Sequence, residues 1–75
     1  KYSIKIADFY YKDSAKSMQD RIVNETNIKN PIIRRITNTK YRVLIGPFND
    51  IKKLEDSFNE IKLLNFENIE ILKNV

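Results

Sequence analysis

The chain writes one pattern twice. YSIKIADFYY, residues 2–11, returns as YRVLIGPFND, residues 41–50, at a constant offset of 39 positions. That offset carries Tyr2 to Tyr41, Ile4 to Val43, Ile6 to Ile45 and Phe9 to Phe48, then Ala15 to Leu54 and Ile22 to Ile61. Each copy opens with apolar residues at every second position, the period of a half-buried strand. Each then changes period: Ala15, Met18 and Ile22 in the first half, and Ile51, Leu54, Phe58 and Ile61 in the second, fall at helical spacing. Asp13 or Ser14, and Asn49 or Asp50, are residue types that cap a helix start by accepting from its free N–H groups. The repeated unit is strand, turn, helix.

Two further apolar runs, Ile32–Thr37 and Ile69–Leu72, complete the order βαββαβ, with Asn38 and Thr39 as the tight connection between the second and third strands. Asn27 and Asn65 follow the helices, where asparagine best replaces glycine in a left-handed cap. This connectivity predicts an α+β, ferredoxin-like fold: one four-stranded antiparallel sheet of spatial order 4-1-3-2 with both helices on one face. The helix-facing set is then Ile4, Ile6, Val43, Ile45, Ile69 and Ile71, with Phe9 and Phe48 as core wedges. Gly46-Pro47 reads as a turn leaving the third strand.

Seventy-five residues make one domain, with no room for a second core. No apolar run is long enough to cross a bilayer, and no signal peptide is visible. Opening on Lys1 rather than methionine, the chain is expected to be a piece of a longer protein. Without a single cysteine or histidine it offers no thiol, no Cys-His pair, no Ser-His-Asp triad and no transition-metal site of the usual kind, and its one glycine excludes a Gly-rich phosphate loop. Neither catalysis nor a cofactor is expected. The net charge of +4 is spread along the chain without a block of like charges, which describes a solvated surface with a bias toward anions.

The predicted sheet leaves its second face to solvent, and Ser3, Lys5, Ala7, Arg42, Leu44, Glu70 and Leu72 project there, while the second strand fits either register. Lys5, Arg42 and Glu70 fall side by side, and Asp8 at the end of the first strand comes beside Lys40 at the start of the third. One reading is a solubilising cross-strand ion ladder contributing roughly 0.2–1 kcal/mol per pair. The other is a docking surface for an extended anionic ligand. An RNA-binding domain of this topology would stack bases on aromatics from its first and third strands, but here those positions hold Lys5, Arg42 and Leu44. Nucleic acid is therefore not the expected partner. Tyr10 and Tyr11 fall in the first strand-to-helix turn as a half-exposed pair.

YRVLIGPF, residues 41–48, resembles the second-half signature of the SPOR (sporulation-related repeat) domain, in which RV, two variable positions and GPF follow one another. IKIADF, residues 4–9, is similar to that family's first-half VQVGSF, and the resemblance runs from Tyr2 to about Leu72. It implies a non-catalytic bacterial envelope module, commonly the C-terminal part of a larger protein, that binds peptidoglycan glycan strands stripped of stem peptides through its open sheet face. Periplasmic location follows from the same likeness, and a monomer without direct membrane contact is the expectation for the domain. Carried across position by position, the glycan-binding candidates are Lys5, Asp8, Lys40, Arg42 and Glu70. Lys5 stands where the family often has Gln, Asp8 where it has Ser, Lys40 where some members have an aromatic and Glu70 where the position is often apolar, whereas Arg42 matches. A ferredoxin-like protein-interaction module is the alternative, and it predicts an apolar patch around Leu44 and Leu72.

Overall fold

A computed structural model describes residues 1–73. The elements run β1 (Tyr2–Phe9), α1 (Lys12–Glu25), β2 (Ile32–Thr37), β3 (Lys40–Phe48), α2 (Ile51–Lys62) and β4 (Glu70–Lys73). The four strands form one antiparallel sheet of order β2-β3-β1-β4, so the two repeated strands lie in the middle. The α+β expectation holds, including the strand order.

The core lies between the helices and one face of this sheet. Ile4 and Ile6 of β1, Val43 and Ile45 of β3, Ala15 and Ile22 of α1, and Leu54 and Ile61 of α2 form one buried cluster with Ile28. These are the residues the repeat aligns: Ile4 with Val43, Ala15 with Leu54, Ile22 with Ile61. Phe9 and Phe48 pack against the cluster, as do Met18 and Phe58. Burying each large aliphatic side chain is worth about 1.5–3 kcal/mol, which makes this cluster the main stabilising element of a small domain.

Local chemistry departs from expectation at four places. The first helix starts at Lys12 with Tyr11 in the cap position, the Ala15 N–H donating to the Tyr11 carbonyl at 3.3 Å. Asp13 and Ser14 therefore lie inside its first turn and do not cap it. Asp50 does cap α2, accepting from the Lys52 N–H at 2.8 Å. Among the described non-glycine residues only Asn65 takes the left-handed conformation, at φ 58°. Asn27 does not, because Thr26 closes the first helix: its buried hydroxyl donates to the Ile22 carbonyl at 2.6 Å and accepts from the Ile28 N–H at 3.0 Å. Ile71 was expected in the core and is 48% exposed, since β4 is a four-residue strand at the sheet edge. Its neighbour Ile69 precedes the strand and does pack on the cluster.

Gly46-Pro47 is a bulge within β3, not a turn leaving it. Tyr2 pairs with Phe48 and Ile4 with Ile45, so β3 spends one residue more than β1 between these points. Gly46 sits at φ +126°, and a Cβ there would meet Ser3 Oγ at 3.0 Å, the Tyr2 carbonyl at 3.1 Å and the Phe48 ring at 3.2 Å. Only glycine fits such a position without strain.

Candidate functional site

No described element covers the sheet face opposite the helices, and its side chains are set by a second bulge. Lys5 pairs with Leu44 and Ala7 with Val43, so Ile6 is the extra residue of β1. Past a bulge the alternation of side chains is reset. Ala7, expected on the open face, therefore packs against the helix-side cluster beside Val43. Asp8, which strict alternation from Ile4 and Ile6 would turn toward the helices, comes to the open face directly opposite Arg42. The expected neighbour of Asp8 was Lys40; its register partner is Arg42, the inserted residue having moved it one position along β3 from Tyr41.

Across the sheet the open face then reads in two rows. One runs Glu70, Lys5, Leu44 and Ile32 over β4, β1, β3 and β2; the other runs Asp8, Arg42 and Arg34 over β1, β3 and β2. Arg42 grips Asp8 with both prongs, Nε donating to Oδ1 at 2.7 Å and Nη2 to Oδ2 at 3.0 Å. Lys5 Nζ lies 3.6 Å from Asp8 Oδ2 and 3.8 Å from Glu70 Oε1. Four of the five candidates thus form one connected ladder. Lys40 makes no ion pair within 4 Å among the described residues and acts on Asp8 through its charge at longer range. Charge-assisted pairs this close are the stronger kind of hydrogen bond, and the half-buried setting screens them less than a fully exposed one.

The Arg42 hydrogen bonds hold the Asp8 carboxyl below its ordinary range, against the opposing cost of its partial burial, with the charges of Arg42, Lys5 and Lys40 adding to the lowering. The same bonds raise Arg42. Asp8 is ionised at neutral pH.

Two shallow grooves meet at Asp8. The first, about 310 Å³, lies where β1 runs on beyond the start of β4 and is walled by Lys5, Asp8, Phe66, Glu67 and Asn68. The second, about 190 Å³, is lined by Asp8, Phe9, Tyr10 and Lys40. Tyr10, in its lining, is 75% exposed, and the next residue, Tyr11, is 74% exposed. Arg21 of α1 fixes the outer wall of the first groove, its Nη2 donating to the Leu64 carbonyl at 3.4 Å and its guanidinium lying 4.9 Å from the Phe66 ring centre. A larger groove of about 670 Å³, lined by Asn27 to Asn30 and Gly46 to Phe48 among others, lies apart from the ladder. Its charged groups are spent internally: Lys29 Nζ donates to the Val23 and Thr26 carbonyls, and the Glu60 carboxylate accepts from the Asn27 N–H.

Among the described residues, the apolar patch expected around Leu44 and Leu72 for a protein-interaction surface does not form on this face. Leu44 projects away from the helices but is only 2% exposed, with Lys5 and Ile32 directly beside it in register, and Leu72 is half-buried. One open-face cation was missed at the level of sequence. Arg34 sits opposite Arg42 because Ile33 takes the helix side against the core, which settles the register of β2.

No group of three potential metal-ligating side chains gathers among the described residues. No curated protein and no solved structure matches the chain. The SPOR domain family model matches residues 1–71. SPOR domains are peptidoglycan-binding, non-catalytic modules that occur in cell-envelope and division proteins. The match spans both halves of the repeat, the two bulged central strands and both helices, and the chain belongs to the SPOR domain family.

Proposed function

We propose that this domain binds bare glycan strands of peptidoglycan along its open sheet face and so holds a larger parent protein at the periplasmic cell wall, at sites such as the division septum. The observation that carries this reading is the uncovered face itself, crossed by the connected polar row Glu70–Lys5–Asp8–Arg42 and continued on either side of Asp8 by a groove. A long polymer needs such an open track rather than a closed pocket, and a sugar needs closely spaced donors and acceptors flanked by ring-sized apolar surface. Lys5, Asp8, Lys40, Arg42 and Glu70 are the contact set, with Tyr10 at the rim as a surface on which a sugar ring can stack. The domain acts as a monomer, without nucleic acid, cofactor or direct membrane contact.

Stripping the stem peptide from a muramyl residue leaves a free lactyl carboxylate. A denuded strand is therefore a polyanion, and cations on this face favour it over a peptide-bearing one. Sedimentation of the domain with amidase-treated and untreated sacculi tests the reading. Greater recovery with treated sacculi is expected. Equal recovery with both, or none with either, contradicts it.

A further inference from the structure

The ion ladder is electrically close to complete, since Lys5 and Arg42 stand against Asp8 and Glu70. Whatever charge this face offers a ligand comes from elsewhere. Among the described residues two cations of the same face hold no ion pair, Arg34 and Lys40, and both lie toward the β2–β3 side of the sheet. Arg34 is exposed and stands directly opposite Arg42. Like charges facing one another across a strand pair are destabilising. Asp8 relieves Arg42 but not Arg34, because its oxygens are engaged by Arg42 and Lys5 and it lies two strands from Arg34.

We propose that Arg34, supported by Lys40, is the carboxylate-reading group of this domain, while Lys5 and Arg42 are held by their acidic partners and shape the track. This deepens the peptidoglycan reading and rests on it. A guanidinium presents parallel N–H groups that match a carboxylate in two-pronged fashion, which a lysine ammonium does not. An anion beside Arg34 also removes the unfavourable Arg34–Arg42 pairing, so binding is assisted by relief of a strain already in the free protein. Ile32, two residues away on the same face and 36% exposed, supplies an apolar flank for the sugar ring that bears the lactyl group.

The test uses soluble denuded glycan strands and the same strands with their carboxylates converted to methyl esters, at low and high salt. Arg34→Gln should weaken binding to the free-acid strands roughly three- to tenfold at low salt and flatten the salt dependence. Esterification should weaken the unaltered domain by a similar factor and leave Arg34→Gln nearly unchanged, with Arg34→Lys falling between. Binding of Arg34→Gln equal to that of the unaltered domain, or an equal effect of esterification on both, overturns the assignment while leaving glycan binding in place. Failure of the unaltered domain to bind either probe overturns both. Circular dichroism on each variant separates loss of contact from loss of fold, and Lys40→Gln, expected to weaken free-acid binding less than Arg34→Gln, gives an independent second reading.

Discussion

Arg42 of β3 closes a two-pronged hydrogen bond on Asp8 of β1, at 2.7 and 3.0 Å, across the central strand pair of the sheet. The pair exists because one extra residue in β1 turns Asp8 to the open face. It ties the two halves of the repeat together on the side away from the core, and it neutralises the arginine that matches the family signature.

Asp8→Ala and Arg42→Ala should each lower stability by about 1 kcal/mol, and the double variant should lose less than the sum, with a coupling of about 1 kcal/mol. Urea unfolding of the four proteins measures this. A coupling near zero would mean that the pair is a surface contact without energetic weight.

Acid should weaken the fold through the same residue. Because folding lowers the Asp8 pKa, the stabilisation is complete above the ordinary aspartate value near pH 4 and is lost as pH falls through the lower, folded value. The stability of the unaltered domain should therefore fall faster than that of Asp8→Asn as pH drops below about 4. Parallel curves would contradict the assignment.

Gly46→Ala should cost about 1–3 kcal/mol, since the new Cβ would sit at a left-handed φ and press on the Tyr2 carbonyl and the Phe48 ring. The loss should appear in thermal unfolding. Glycan binding per folded molecule should change little, because the residue lies away from the Asp8 grooves.

Arg21→Ala should loosen the segment after α2 with a small effect on global stability. Hydrogen exchange at residues 64–68 should rise, since the Leu64 carbonyl and the Phe66 ring both lose their anchor on α1. Uniform exchange across the chain would show that the anchor has no local role.

The repeat made the architecture legible, because alternating residues that change to helical spacing at matched offsets admit few arrangements other than paired central strands under two helices. The core set Ile4, Ile6, Val43, Ile45, Ala15, Leu54, Ile22 and Ile61 could be named from spacing alone. What spacing cannot show is a bulge. One residue inserted at Ile6 sent Ala7 inward and Asp8 outward and moved the register partner of Asp8 from Tyr41 to Arg42, so that Lys40 is not the residue opposite it. The register of β2 was equally hidden, since IIRRIT offers at least one isoleucine and one arginine to either face, and packing of Ile33 on the core decides it. Thr26 took the capping role from Asn27 through its hydroxyl, a choice that depends on the buried Ile28 N–H rather than on residue preference.

The most direct test of the account is an amide chemical-shift titration of the isotope-labelled domain with soluble denuded glycan. The expected result is a saturable set of changes confined to the open face, at Lys5, Asp8, Arg34, Lys40, Arg42, Glu70 and the adjoining residues 66–68, with α1 and α2 unmoved. Changes centred on the helices or on the groove between Asn27 and Phe48, or no change at all, would contradict it.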